Sequence, residues 1–176
     1  LELIINSTNC YPGLIHMFCG SLVNSVCENL NNYYDNGHGG MLPYEITDEQ
    51  MKDVFRKQDI RAEIGRRVMS TIKLNRRYNT VASLLAYMTY EQQESAGNYM
   101  YGFSACEIKD FNEADTQIPS VHDLPERDLE VLLDEMARIG ILWENQETRQ
   151  FRFKQKDYLE YIGDADKVLE TLCAAE

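Results

Sequence analysis

Several residues in this sequence have side chains suited to a reactive or ligating site, and their spacing decides whether they form one. The glycine-rich run Gly37-His38-Gly39-Gly40 could cradle an anion with its backbone amides. It lacks the lysine of a phosphate-binding loop and follows no strand, and G-x-x-x-x-G-K-[ST] is absent from the chain, so a connector between helices explains it better. Gly102-Phe103-Ser104-Ala105-Cys106 loosely resembles a nucleophile elbow, with Cys106 where the second glycine belongs. Ser104 and Glu107 also have the spacing of a capping box, which explains the serine without catalysis. His16, His38 and His122 are widely spread, and none falls in H-E-x-x-H or H-x-E. With 29 acidic residues in 176, close carboxylate pairs arise from composition alone, and a solvated face is their default reading.

The five cysteines, Cys10, Cys19, Cys27, Cys106 and Cys173, are odd in number and contain no C-x-x-C. Neither a disulfide framework nor a zinc site is indicated. Cys19 and Cys27 have helical spacing on an apolar face, which predicts buried thiols and a reducing, cytoplasmic setting. Asn6-Ser7-Thr8 matches a glycosylation sequon, here taken as coincidental.

Composition sets the wider bounds. The net charge is −12, with 44% hydrophobic and 26% charged residues, values of an ordinary globular chain. The strongest early apolar stretch, Leu14 to Val23, is interrupted by His16, Gly20 and Ser21 and is too short for a bilayer span. Excess acid disfavours a general nucleic-acid or anionic-membrane binder. The sequence begins at Leu1 without a secretory leader pattern and reads as a fragment of a longer protein.

The elements that would position any site follow from periodicity. Pro12 opens a helix whose stripe is Leu14, Ile15, Phe18, Leu22, Val23, Val26, Leu30 and Tyr33. Thr47 to Gln50 is a capping box, with Ile46 and Met51 as a staple, for a helix burying Met51, Val54 and Phe55. Asp59 is placed to cap a further helix with Ile60, Ile64, Val68 and Ile72 inward. Its outer face is basic: six cations from Arg61 to Arg77 stand against Glu63. A helix from Tyr78 turns Val81, Leu84, Leu85 and Met88 inward, and Ser104 caps one with Ile108 and Phe111 inward. Residues 112–122 read as a polar connector. Asp123 and Glu126 read as a third capping pair, for a helix burying Leu129, Leu132, Leu133, Met136 and Ile139 and stopped by Gly140. Ile141-Leu142-Trp143 and the alternating Arg149 to Lys154 predict a hairpin that packs Trp143, Phe151 and Phe153 on those helices. Tyr158, Leu159 and Ile162 mark a short helix ended by Gly163. Asp164 caps a last one with Val168, Leu169 and Leu172 inward.

Charge divides the chain near Asn75–Tyr78, with −2 before it and −10 after. The later part, three helices and then a hairpin, has the order of a winged-helix domain. In a DNA reader the third helix approaches phosphates. Here Asp123 to Gly140 carries six acids and two arginines, although Arg149, Arg152 and Lys154 make the wing more favourable. The link before this helix is also long for a helix-turn-helix reader. A winged helix that packs on protein fits better, and the basic stripe reads as a solvated helix face or an internal docking surface.

Two stretches carry a family resemblance. Asn9-Cys10-Tyr11-Pro12-Gly13-Leu14-Ile15 opens the long helix, and Leu74-Asn75-Arg76-Arg77-Tyr78-Asn79-Thr80-Val81-Ala82 opens the second part. Their order and spacing resemble the region after the nucleotide-binding core of STAND-type ATPases, the archaeal-ATPase-like and NB-ARC-like branch of AAA+ proteins. The resemblance covers nearly all of the chain. It implies a mainly α protein: a helical lid at 1–75, a winged helix with a small hairpin at 76–163 and a C-terminal helix at 164–176. The family's lid helix opens on a glycine-x-proline motif near the adenine. Pro12 matches the proline, Cys10 stands at the glycine, and Tyr11 offers a flat apolar surface, so the resemblance makes Tyr11 and Pro12 the cofactor-binding candidates. It further implies that ATP is held mainly by an upstream core of the same protein, that this chain alone catalyses nothing, and that its role is to couple nucleotide state to interdomain or partner contacts. The alternatives are a winged-helix DNA-binding regulator, using Arg149, Arg152 and Lys154, and a stand-alone protein-interaction module.

Overall fold

A computed structural model describes residues 2–35, 46–96 and 101–174. The glycine-rich run at 37–40, with His38, lies outside the described residues, and so do the side chains of Leu30 and Tyr33. The protein is mainly helical with one small antiparallel sheet, and it divides into two compact units, Leu1–Arg66 and Arg67–Glu176. No helix among the described residues is long and apolar enough to cross a membrane.

In the first unit, α1 (Glu2–Thr8) and α2 (Pro12–Asp35) are joined by a tight turn with Asn9 and Cys10 in the left-handed region, at φ 49° and 59° respectively. The helix α1 was not anticipated; Thr8 of the sequon is buried in it and donates to the Ile4 carbonyl at 2.6 Å. Leu14, Phe18 and Leu22 form the buried stripe of α2, but Val23 is 59% exposed. Cys19 is half-buried and Cys27 exposed, so the expected pair of buried thiols is corrected: Cys27 lies outside the stripe. The helix α3 (Asp48–Arg56) starts with the anticipated capping box, in which the Gln50 amide donates to Thr47 Oγ1 at 3.2 Å and the Thr47 amide donates to Gln50 Oε1 at 3.0 Å. Val54 is fully buried; Ile46 stays exposed. Asp59 does not cap α4 (Gln58–Ile72) but lies within its first turn, where a carboxylate still favours the helix dipole. Ile60, Ile64, Val68 and Ile72 are buried along α4 as the spacing predicts; the helix runs across the division, and Val68 and Ile72 belong to the second unit.

The second unit is organised around α5 (Arg76–Ala96), which starts two residues before the expected Tyr78. Val81 to Ala86 are all buried, so this helix is covered on nearly every side. It packs most extensively against α10 (Ala165–Cys173), and also against α6 (Ala105–Phe111), α7 (Pro119–His122), α8 (Glu126–Arg138) and α9 (Asp157–Ile162). The Tyr90 hydroxyl donates to the Gly163 carbonyl at 2.8 Å, which ties α5 to the turn between α9 and α10. Burial, with the nearby Asp164 and Glu160 carboxylates, raises the Tyr90 pKa. Asp164 caps α10 by accepting from the Lys167 amide at 2.9 Å; Val168 and Leu172 are buried, whereas Leu169 faces out at 41% exposure.

The stretch 112–122 is not the polar connector that its composition suggests. A π-helical turn (Asn112–Thr116) extends α6, and α7 follows it, with Asn112, Ile118 and Val121 buried. Asp123 ends α7 instead of capping α8, whose preceding residue is Pro125 with no side-chain cap. Proline there fixes the entry angle and leaves no amide of its own to satisfy. The exit from α8 is as expected. Gly140 sits at φ 80°, its amide donates to the Ala137 carbonyl, and the Ile141 amide reaches back to Met136, a Schellman stop.

The sheet pairs β1 (Leu142–Asn145) with β2 (Gln150–Phe153), opposing Leu142 to Phe153, Trp143 to Arg152 and Glu144 to Phe151. Leu142, Phe151 and Phe153 are buried, but Trp143 is 43% exposed: in this register it shares the outer face with Arg152, so the expected packing of its ring on the helices is corrected. Beyond β2, Phe103 forms a single-residue bridge to Phe151, each amide donating to the other's carbonyl at 2.9 Å.

Candidate functional site

A concave surface lined by charged groups lies on the second unit, between the C-terminal half of α8 and the hairpin. This groove has a volume of about 430 Å³, and Asp134, Arg138, Trp143, Glu144, Arg149 and Lys154 contribute its polar and aromatic lining. The helix α8 has a strongly two-sided pattern: Leu129, Leu132, Leu133 and Met136 are buried, which turns Asp134 and Arg138 toward the groove rim.

Arg149 is the centre of the groove's electrostatics. Its backbone occupies the left-handed region at φ 53° and closes the hairpin turn, with its amide donating to the Asn145 carbonyl at 2.8 Å. One side of its guanidinium donates to both oxygens of Asp134, at 3.0 and 3.3 Å, and the other donates to Glu144. Partial burial disfavours the charge, but the two carboxylates outweigh it and raise the Arg149 pKa above its already high range. Its guanidinium carbon also lies 5.5 Å from the Phe151 ring centre. On the outer face, the Arg152 guanidinium stacks 4.4 Å from the Trp143 ring centre, a cation–π contact that fixes both side chains. At the other edge of α8, the Tyr78 hydroxyl donates to Glu135 at 3.0 Å; desolvation and then Glu135 raise its pKa.

Both wing arginines are thus engaged within the chain: Arg149 is bound by α8 and β1 carboxylates, and Arg152 lies on Trp143. The ion pairing of Arg149 was not legible in the sequence, because Asp134 and Arg149 are brought together only by the helix-to-hairpin geometry.

The other sequence candidates among the described residues each have their own local setting. Tyr11 and Pro12 lie at the α1–α2 junction, Tyr11 half-buried and Pro12 exposed; the Tyr11 amide donates to Thr8 at 3.0 Å and its carbonyl starts α2 by accepting from Ile15. His16 and His122 are exposed and belong to different units. Among the described residues, no group of three or more His, Cys, Asp or Glu side chains is placed to hold a metal ion. Ser104 is engaged in its capping box, with Oγ accepting the Glu107 amide at 3.3 Å. Gly102 is favoured by close approach: a β-carbon there would stand 3.1 Å from Gln150 Cβ and 3.3 Å from the Phe151 backbone, a tight fit.

Cys106 is exposed on α6, with its thiol 3.7 Å from Asp110. Asp110 and then Glu126 raise its pKa, which is the reverse of what a nucleophilic thiol needs. Its alkylation by iodoacetamide is therefore expected to rise with pH along a curve displaced above that of an ordinary thiol. Asp110→Asn should move the curve down; an unchanged curve in that variant would refute the electrostatic cause.

Comparison with protein-family models, with curated proteins and with solved structures returns no match.

Proposed function

We propose that the second unit is a winged-helix domain that docks on protein, and that the chain serves as the regulatory lid-plus-winged-helix region of an ATP-binding switch. The observation that carries the winged-helix reading is the Phe103–Phe151 bridge. It adds a short strand between α5 and α6, so the order becomes helix, strand, helix, helix and then the two wing strands, with α7 as an insertion. Protein is favoured over DNA by the charges on α8. Glu126, Asp128 and Glu135 are exposed on the helix that would approach phosphates, and Arg149 is already held by Asp134 and Glu144.

The switch context rests on the STAND-type resemblance. In that context Tyr11 and Pro12 would approach the adenine of ATP held by an upstream core, and nucleotide release would free the lid and winged helix. This chain itself would turn over no substrate. Two measurements test the reading. Duplex DNA at micromolar protein and low salt should give no salt-sensitive mobility shift, and a shift would favour a DNA-binding regulator. Purified protein should hydrolyse no ATP; measurable turnover would overturn the regulatory role.

A further inference from the structure

We infer that residues 117–125 form a latched strap over the seam between α5 and α8, and that the strap opens as one piece while the rest of the second unit stays folded. Six of its nine residues are exposed: Gln117, Pro119, Ser120, His122, Asp123 and Pro125. Ile118 and Val121 are its buried anchors, and Leu124 is half-buried. By contrast, every residue of α5 from Val81 to Ala86 is buried. The four-residue α7 at the centre of the strap is far too short to be stable as an isolated helix. Resistance to local opening follows buried apolar contact, so this stretch falls at the weak end of its unit.

Polar latches add to the hold, one near each end. At the front, the buried Asn112 side chain accepts from the Ile118 amide at 2.9 Å and donates to the Ile118 carbonyl at 3.2 Å. At the back, Lys109 Nζ donates to the Leu124 carbonyl at 2.7 Å and to the His122 carbonyl at 3.4 Å. Both latches grip the strap's backbone from α6 and the π-helical turn, so neither involves a side chain of α5 or α8. Gln117 is the pivot. Its φ is 49°, a conformation that a non-glycine residue holds at a cost, and its amide donates to the Asn112 carbonyl at 2.6 Å. Beneath the strap, Ser120, Val121 and Leu124 meet Thr80, Val81 and Leu132 around a cavity of only about 10 Å³. Opening therefore bares the seam face of Val81 on α5 and Leu132 on α8, both buried while the strap is closed.

Native-state hydrogen exchange of the full chain in low urea tests the strap. The amides of Ile118, Val121, His122 and Asp123 are bonded to Asn112 or within the strap, so their exchange reports its opening. Relative to intrinsic rates they are expected to exchange at least about 100-fold faster than those of Val81 to Ala86, with one small urea dependence in common. Asn112→Ala should speed strap exchange about tenfold, and Lys109→Met, which keeps the stem and loses the ammonium, should speed it in the same direction. Phe151→Ala discriminates between local and global opening. It should speed exchange in α5 and leave the strap unchanged, because Phe151 stays packed while the strap is open; Phe151→Leu serves if circular dichroism shows that the alanine variant does not fold. Equal protection of strap and α5, or equal acceleration of both by the Phe151 variant, would mean that 117–125 opens only with the whole unit and would overturn the strap. Unequal urea dependence among the four amides would overturn opening as one piece. Unchanged strap exchange in Asn112→Ala would overturn the latch.

Discussion

Phe151→Ala is expected to lower the unfolding free energy of the second unit by about 3–5 kcal/mol, the range for emptying a buried aromatic site. Phe151 is fully buried, its neighbour across β1 is Glu144, and its amide and carbonyl both pair with Phe103. Its ring thus fills the space beneath the hairpin while its backbone joins the hairpin to the strand residue before α6. Urea denaturation followed by Trp143 fluorescence reads this unit alone, because the sole tryptophan lies within it. Phe151→Leu keeps much of the apolar volume and should lose about half as much or less. A Phe151→Ala loss below about 1 kcal/mol, within the range of surface changes, would refute its place in the core.

The second large effect is expected at Asn112, which is fully buried. Its side chain acts as a substitute for backbone: Oδ1 accepts from the Ile118 amide at 2.9 Å, and Nδ2 donates to the Ile118 carbonyl at 3.2 Å. Oδ1 also accepts from the Thr116 hydroxyl at 2.8 Å. Asn112→Ala strands the buried Ile118 amide, whereas the Ile118 carbonyl still accepts from the Val121 and His122 amides. A buried group so stranded costs about 1–3 kcal/mol, and a loss of that size is expected by the same denaturation assay. Asn112→Asp preserves the acceptor and the shape but sets a second oxygen against the Ile118 carbonyl. Burial raises the folded-state pKa of such a carboxyl, so the variant's deficit should be smallest below about pH 4 and grow as pH rises. A deficit that shrinks toward neutral pH would contradict the donor role of Nδ2.

The contrast between these two residues explains what was legible in the sequence. The strict alternation from Arg149 to Lys154 identified β2 and its buried Phe151 and Phe153, because a period of two has one structural meaning. The Thr47 and Ser104 capping boxes and the Gly140 stop were equally readable, since each depends on neighbours in sequence. Asn112 lay in a run of polar residues and looked like loop. Its burial depends on a partner six residues away and on Gln117 adopting a left-handed conformation at φ 49°. The Phe103 strand was missed because one residue carries no period; its only signal was Gly102, whose missing side chain admits β2. The candidate groove was half visible. Its cations were identified, whereas the Asp134–Arg149 pairing and the outward turn of Trp143 required the register.

Phe103 has one more consequence. A two-stranded ribbon normally presents two open flanks, each able to recruit an extended stretch from another molecule. The bridge occupies the β2 flank at Phe151, and among the described residues no further strand pairs with β1. Recruitment of an extended stretch at Phe151 would therefore have to displace Phe103, and the four-residue length of Leu142–Asn145 makes β1 a poor template.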